Sequence, residues 1–361
     1  MKKIILSLTT LIITLNLGCD NDDTTSASDF DLNLMFSDLT HNNIIPTIAN
    51  FVTEANALQT AASNYTSTTT IANLEILRQQ WKLTALVYEK TYTYNIGSAK
   101  DQFVHNSIYN WPTVPRSVEY FITENNTIDE ALMLTISPQV KSLAALEYLL
   151  FADDLASTNA AFLASEKRRD YLRLSSIYVT SRANLLFSIW DSSGENYAST
   201  FLANSGSGIS SSLNLYYNGL YNTIDVTKTT KVGKPAGLEK SDVVNPELTQ
   251  AFYSNTSLAI IEANIKTVEL AYFGSTNTLG LDDYVQSISK NATLNTTIQA
   301  KFTEIYAAID AIPVPLDEAV TSNHTDVEIL HTKLNELQIL FAVDVQSILS
   351  IIITTTDTDG D

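Results

Sequence analysis

Cysteine is nearly absent from this sequence, in which Cys19 is the only one among 361 residues. A single thiol cannot form a disulfide within the chain, so burial of an apolar core must supply the stability of the fold. The position of Cys19, close to the start of the chain, ties it to the N-terminal segment rather than to the folded body.

Glycine and proline are also scarce, with 11 and 8 residues respectively, which disfavours a fold built from many tight turns. Apolar residues make up 45% of the chain, which is enough to fill a sizeable core. A chain of this length exceeds what one hydrophobic core usually organises. We therefore expect long helices rather than a turn-rich β-fold, arranged in two domains.

Basic residues are few, since 21 lysines and arginines stand against 40 acidic residues. Removal of residues 1–18 would take away Lys2 and Lys3 and leave 19 basic against 40 acidic residues, a net charge of −21. Such a surface repels nucleic acid and anionic membranes. It attracts cations, but only non-specifically, so we expect no nucleic-acid partner.

The N-terminus has the pattern of an export signal. Lys2 and Lys3 precede a mostly apolar segment, 4–17, which is too short to remain as a membrane-spanning helix. This segment is followed by Gly18 and Cys19. A small residue before a cysteine is typical of bacterial lipoproteins, because the signal peptidase needs a small neighbour and the lipid needs a thiol.

We predict that residues 1–18 form a lipoprotein signal peptide and that the lipid on Cys19 attaches the protein to the outer membrane. Asn16 departs from the usual pattern, in which an apolar residue stands three positions before the cysteine. Residues 19–33 are predicted to form an acidic, flexible tether. Its acidic start either resembles a surface-export signal or is a solvated linker, so the protein faces the periplasm or the cell exterior.

Apolar residues recur at helical spacing in two clear stripes. The stripes are Leu74, Leu77, Trp81, Ala85, Tyr88 and Tyr92, and Leu330, Leu334, Leu337, Phe341, Val345 and Ile348. Further helices are predicted at 36–63, 138–153, 160–192, 208–226, 246–273, 281–311 and 322–350. We predict an all-α fold of two packed helical bundles, with an N-terminal domain at 34–158 and a C-terminal domain at 159–361.

Four segments together resemble the imelysin family. They are Leu77-Arg78-Gln79-Gln80-Trp81 with Trp111-Pro112, the segment Ser142-Leu143-Ala144-Ala145-Leu146-Glu147-Tyr148-Leu149-Leu150-Phe151, Lys231-Val232-Gly233-Lys234-Pro235 leading into Tyr253-Ser254-Asn255-Thr256-Ser257-Leu258, and the terminal Asp359-Gly360-Asp361. The resemblance implies an exported protein of two helical bundles with a site near their interface. It also implies a link to iron regulation and iron uptake, and a proposed metallopeptidase activity.

The family motif Gly-x-His-x-x-Glu is incomplete in this sequence. Ser142 replaces the glycine, Ala144 replaces the histidine, and only Glu147 is kept. A histidine and a glutamate three apart on a helix can face one metal ion, but alanine has no donor atom. There is also no His-Glu-x-x-His motif. We therefore assign no catalytic residue and expect binding rather than efficient proteolysis.

Glu147 is the leading candidate for a ligand-binding residue because it lies on an apolar helix, where an unpaired charge is costly. Its predicted cationic neighbours are Arg78 and Lys234, and one pocket could collect Glu147, Arg78 and Trp111. The alternative is a structural ion pair with Arg78. Trp81 is a further candidate for the pocket, although its helical spacing favours a place in the core.

Metal ligation has only weak candidates. His324, Glu328 and His331 lie four and three positions apart, so together with Glu147 they are the possible ligands of an iron or other divalent cation. A solvated helix face is the alternative for these three residues. Tyr88, Tyr92 and Tyr94 carry phenol oxygens that can ligate ferric iron, although packing in a bundle is more common for such tyrosines.

The sequence thus predicts a cell-envelope lipoprotein that binds a ligand in iron or haem acquisition. Its expected partners are the membrane, through Cys19, and proteins of iron or haem uptake. A metallopeptidase is the second hypothesis, and the absence of an imidazole at Ala144 counts against it. A structural or adhesion protein of the cell surface is the third.

Overall fold

The computed structural model describes residues 30–275, 278–289 and 292–354. The predicted signal peptide 1–18, the lipidation site Cys19, and the terminal Asp359-Gly360-Asp361 lie outside the described residues. The first described helix begins at Leu32, so the last positions of the predicted tether 19–33 are already helical.

The described residues are 76% helical and include no strand, which confirms the predicted all-α fold. The helices of the first half are α1 (Leu32–Leu39), α2 (Ile45–Ser67), α3 (Ile71–Tyr92), α4 (Ser98–Asp101), α5 (Val104–Ile108), α6 (Pro115–Glu124), α7 (Glu130–Thr135), α8 (Leu143–Phe151), α9 (Leu155–Ala164) and α10 (Glu166–Trp190). Those of the second half are α11 (Tyr197–Ala203), α12 (Ser212–Val226), α13 (Lys234–Ala236), α14 (Ser257–Phe273), α15 (Leu281–Ser289), α16 (Ala292–Asp310), α17 (Leu316–Ser322), α18 (His324–Ile339) and α19 (Gln346–Leu349).

Short irregular helices join these elements. π-helical segments occupy Thr40–Ile44, Thr227–Gly233 and Leu340–Val345, and 3-10 turns occupy Pro138–Val140 and Pro246–Leu248. No helix among the residues described is both long enough and apolar enough to cross a bilayer.

Helix α3 begins where the hydroxyl of Thr70 accepts a hydrogen bond from the N–H of Asn73, which satisfies one of the unpaired donors of the first turn. Its predicted apolar stripe is buried from Leu74 to Tyr88, and Tyr92 at the end is half-buried. Helix α2 packs along both α3 and α10. These three long helices form the core of the first helical set.

The second apolar stripe is buried from Leu330 to Val345, but its predicted last member, Ile348, is only half-buried and Leu349 is buried instead. The π-helical segment Leu340–Val345 explains the shift, because a π turn holds more residues than an α turn. The buried face therefore moves along the chain by one position.

The second helical set contains α12, α14, α16 and α18, and α3 packs against α14 to join the two sets. The described residues from Asp31 onward form one compact unit. A boundary between 158 and 159 assigns α10 to the C-terminal domain, whereas α10 packs along α2 of the first set. The division into domains at 34–158 and 159–361 stays a prediction.

The segment before α14 differs from its prediction in a way that shapes the site. A single helix was expected over 246–273, but α14 begins only at Ser257. Ala251 and Asn255 both adopt positive φ angles, 57° and 55°, which a continuing helix does not permit. The resulting loop turns inward, and Gln250 and Ser254 are buried.

Candidate functional site

Helix α8, which carries the retained motif glutamate, is held at both ends by side chains of α3. The indole Nε1 of Trp81 donates to the carbonyl of Leu143 at 3.0 Å, in the first turn of α8. The guanidinium of Arg78 donates from Nε to the carbonyl of Leu150 at 2.7 Å and from Nη2 to the carbonyl of Asp153 at 3.0 Å. These bonds fix α8, and with it the position of Glu147.

The expected pairing of Glu147 with Arg78 is wrong. Glu147 is 4% exposed, and its Oε1 accepts a hydrogen bond from the backbone N–H of Ser254 at 2.8 Å. Arg78 instead meets carbonyl groups at the carboxyl end of α8, where unpaired acceptors and the negative end of the helix dipole attract a cation. Arg78 therefore has a capping position, and Glu147 contacts a loop.

The electrostatics of Glu147 follow from its burial. Loss of solvent raises the pKa of this carboxyl to about 7, and the charge of Asp317 acts in the same direction. Hydrogen bonds from Ser254 oppose the shift. Burial therefore favours the protonated form of the Glu147 carboxyl. This side chain anchors the loop that carries Gln250 and Ser254.

The candidate site is a cavity of about 230 Å³ between α3, the segment around α5, and the π-helical segment Thr227–Gly233. Its lining residues are predominantly polar and aromatic. They are Tyr88, Glu89, Tyr92, His105, Asn106, Tyr109, Asn110, Trp111, Val226, Thr230, Lys231 and Gln250.

A buried ion pair lies at the wall of this cavity. Lys231 Nζ donates to Glu89 Oε2 at 2.6 Å, and the two side chains are 4% and 1% exposed. Asn264 bridges the pair, because its Oδ1 accepts from Lys231 at 2.6 Å and its Nδ2 donates to Glu89 Oε2 at 3.1 Å. Gln250 Nε2 donates to Glu89 Oε1 at 2.5 Å. Both carboxylate oxygens therefore accept hydrogen bonds from neighbouring side chains.

His105 lines the same cavity as a neutral imidazole. It is 2% exposed, and burial lowers its pKa to about 3. Its ring lies 5.7 Å from that of Tyr88 and 5.8 Å from that of Tyr92, measured between centroids. Neither ring nitrogen has a hydrogen-bond partner among the residues described. His105 therefore presents one donor and one acceptor that its surroundings leave unused.

Only one of the five predicted binding residues, Trp111, lines this cavity. Trp81 is fully buried in the core, and Arg78 caps α8. Lys234 lies in α13, outside the cavity lining. Lys231, in the π-helical segment just before α13, forms the buried ion pair instead. Glu147 also lies outside the lining; it acts on the lining residue Tyr109, whose pKa is raised first by burial and then by nearby acids, of which Glu147 is one.

Sequence reasoning missed the residues that give the cavity its polar character. They are Glu89, His105, Gln250 and Lys231. Lys231 belongs to a segment that resembles the imelysin family, and His105 is one of only four histidines, so both had a weak signal. Glu89 had a weaker one, because it adjoins the apolar stripe of α3 and its partner lies 142 positions away.

The predicted metal ligands are not assembled into one site. His331 Nε2 lies 2.9 Å from Glu239 Oε1, which also accepts from Lys228, whereas His324 lies 3.7 Å from Glu328. No group of three or more histidine, cysteine, aspartate or glutamate residues in the described ranges could hold a metal ion. The residues described therefore do not fit the metal centre that the resemblance implies.

The weaker tyrosine hypothesis also has a simpler account in packing. The hydroxyl of Tyr88 donates to the carbonyl of His105 at 3.2 Å, so the single phenol proton of Tyr88 is already in a hydrogen bond. Tyr94 is fully buried, and burial raises its pKa well above its ordinary value. A phenol that resists ionisation is a poor ligand for ferric iron.

Comparisons with known proteins agree on one family. The family model described as Imelysin matches residues 44–341. An imelysin-like protein from Psychrobacter arcticum 273-4 has a crystal structure with a TM-score of 0.75 and 18% identity, covering 90% of this chain and 96% of that chain. An iron-regulated protein A-like precursor from Parabacteroides distasonis ATCC 8503 has a TM-score of 0.70 and 19% identity, covering 88% and 94%.

No curated protein matches the chain. At these identities the two crystal structures show a shared fold alone. The family model covers most of the chain and agrees with the resemblance in the sequence. The chain therefore belongs to the imelysin family.

Proposed function

We propose that this chain is a ligand-binding protein of the cell envelope and that its ligand occupies the cavity beside the Glu89–Lys231 pair. One observation carries the proposal. Buried polar atoms of lining side chains, among them both ring nitrogens of His105, Thr230 Oγ1 and Gln250 Oε1, have no hydrogen-bond partner in the described part of the chain. Such atoms each cost about 1–3 kcal/mol when left unsatisfied, and these belong to residues that line one cavity, which favours a ligand that completes them.

The geometry favours binding over proteolysis. A catalytic zinc site needs about three protein ligands and an open position. Ala144 offers no donor atom, and Glu147 is engaged by the N–H of Ser254. The cavity, in contrast, offers unused hydrogen-bonding groups and aromatic walls, which is typical of small-molecule sites.

The iron-linked part of the proposal concerns physiology rather than a bound metal. One structural neighbour is named for iron regulation, and we extend that association to this chain. The cavity volume of about 230 Å³ lies below the roughly 300–1,000 Å³ of pockets that hold drug-sized ligands, so we propose a ligand smaller than haem. We also propose that the lipid on Cys19 holds the protein at the outer membrane, near the proteins of iron uptake.

Native mass spectrometry of the full chain, released gently from its own cell envelope, tests this proposal. We expect a non-covalently bound small molecule on the wild type and on Gln102→Ala, which changes an exposed glutamine outside the cavity. Gln250→Ala and Trp111→Leu should lose it, because both residues line the cavity. A bound mass that survives both cavity variants, or its absence from the wild type, contradicts the proposal.

A further inference from the structure

We infer that the ligand is a neutral, polyhydroxylated ring of monosaccharide size. This inference rests on the proposed function and specifies the chemistry of the same cavity. It is carried by the charge balance of the lining, by the unused donors and acceptors of lining residues, and by a half-buried tryptophan among the lining residues.

The lining carries no net charge to attract an ionic ligand. Its only residues that are ordinarily charged are Glu89 and Lys231, and these neutralise each other at 2.6 Å. His105 is neutral because burial disfavours its protonated form. A charged ligand would therefore enter a buried site without a free counter-charge, which is unfavourable. A neutral molecule avoids this penalty.

The unused polar atoms call for groups that can both donate and accept. The carboxylate of Glu89 can only accept, so it fixes the Gln250 amide with its NH₂ group toward Glu89 and its Oε1 as a free acceptor. His105 offers one donor and one acceptor, and the hydroxyl of Thr230 offers both. Hydroxyl groups of a polyol match this mixture, because each can donate and accept.

Trp111 supplies the apolar surface that a sugar ring requires. It is half-buried, lines the cavity, and forms no aromatic pair among the described residues. The carbon-bound hydrogens on one face of a sugar ring can pack on such an indole while the hydroxyl groups at the ring edge reach polar atoms. The amide side chains of Asn106 and Asn110 line the cavity as well.

The experiment compares neutral sugars with charged counterparts of the same size on the full chain. Saturation-transfer NMR and calorimetry would use glucose, galactose, mannose and N-acetylglucosamine, with glucuronate and glucose 6-phosphate as matched charged probes. We expect at least one neutral sugar to bind in the millimolar range or tighter, with most saturation on one ring face. Its charged counterpart should bind at least tenfold more weakly.

Variants locate the binding. Trp111→Leu and His105→Phe should weaken sugar binding at least tenfold, whereas Gln102→Ala, outside the cavity, should leave it unchanged. Equal or tighter binding of the charged probes, or no binding of any neutral sugar, overturns the inference. If the sugars fail while the native bound mass is still lost in Gln250→Ala, only the ligand class is wrong. If the native mass is absent too, the proposed function also fails.

Discussion

The carboxylate of Glu147 and the backbone N–H of Ser254 are joined by a hydrogen bond of 2.8 Å that links α8 to the loop before α14. The same loop carries Gln250, whose amide donates to Glu89 at the cavity wall. Glu147 therefore lies one loop away from the candidate site and positions part of its lining. The retained motif glutamate has a structural account that requires no metal ion.

Glu147→Gln should change how stability depends on pH. Burial raises the pKa of Glu147 from 4.5 to about 7, so the folded chain holds a proton that the unfolded chain releases above pH 4.5. The wild type therefore loses stability as pH rises from about 4.5 to 7. The glutamine keeps an acceptor for Ser254 without a charge. Urea unfolding should show the variant gaining about 3 kcal/mol relative to wild type across this window.

Titration of His105 changes stability with pH in the opposite direction, and its contribution cancels when the Glu147→Gln variant is compared with wild type. Its pKa is lowered from 6.5 to about 3, so the unfolded chain binds the extra proton, and stability falls as pH falls through this range. This contribution is present in both the wild type and the Glu147→Gln variant. Glu328→Gln, at an exposed glutamate, is the matched control and should follow the wild-type profile. Parallel profiles for Glu147→Gln and wild type would refute the account of Glu147.

Lys231→Met should destabilise the fold strongly, because it leaves the carboxylate of Glu89 buried without its cation. Breaking a buried pair typically costs about 3–5 kcal/mol. The double variant Glu89→Gln with Lys231→Met removes both charges and should regain much of that loss. Chemical unfolding measures both values.

The control for this pair is Lys266→Met, which breaks an exposed ion pair with Glu262 and should cost less than about 1 kcal/mol. If Lys231→Met costs no more than this control, or if the double variant is no more stable than the single one, the Glu89–Lys231 pair is not the structural element described above.

Arg78→Met should lower stability and leave ligand binding intact. The change removes the guanidinium bonds to the carbonyls of Leu150 and Asp153, so the carboxyl end of α8 loses its cap. We expect a cost of about 1–3 kcal/mol in the free energy of unfolding, since these bonds involve a charged donor. Unchanged melting together with loss of the native bound mass would instead assign Arg78 to the binding site.

Cys19→Ser should release the protein from the membrane. The prediction follows from the apolar segment 4–17 and the Gly18-Cys19 junction. Intact-mass analysis of the wild type should show a chain that begins at Cys19 with added acyl mass, recovered in the membrane fraction. A mature wild-type chain that begins at Met1, or an unmodified Cys19, would show that this segment is not a lipoprotein signal.

Local sequence patterns were enough to predict the helical fold. The stripe from Leu74 to Tyr88 is buried as its spacing indicates, because each of these side chains faces the same side of one helix. The loop before α14 was missed because its conformation depends on the distant carboxylate of Glu147. The spacing of apolar residues within 246–273 carries no information about a hydrogen bond to a residue of another helix.

The site was harder to predict than the fold, because its key contacts are formed between remote segments. Trp111 lines the candidate cavity, in an irregular segment where no helix face buries it, and its part in binding stays a prediction. Arg78 was predicted to pair with Glu147, but its guanidinium donates to backbone carbonyl groups at the carboxyl end of α8. The sequence does not show which end of α8 lies beside Arg78. The pairing of Glu89 with Lys231 depends on the packing of two helical sets.

Fluorine NMR of the full chain labelled with 5-fluorotryptophan tests the binding cavity most directly. The sequence has three tryptophans, of which Trp81 and Trp190 are fully buried and Trp111 lines the cavity. The small-molecule fraction of the native envelope is added, and the Trp111 signal is assigned with Trp111→Phe. The account predicts a shift of the Trp111 resonance while the other two stay in place. A Trp111 resonance that does not respond, with or without changes at Trp81 or Trp190, would contradict it.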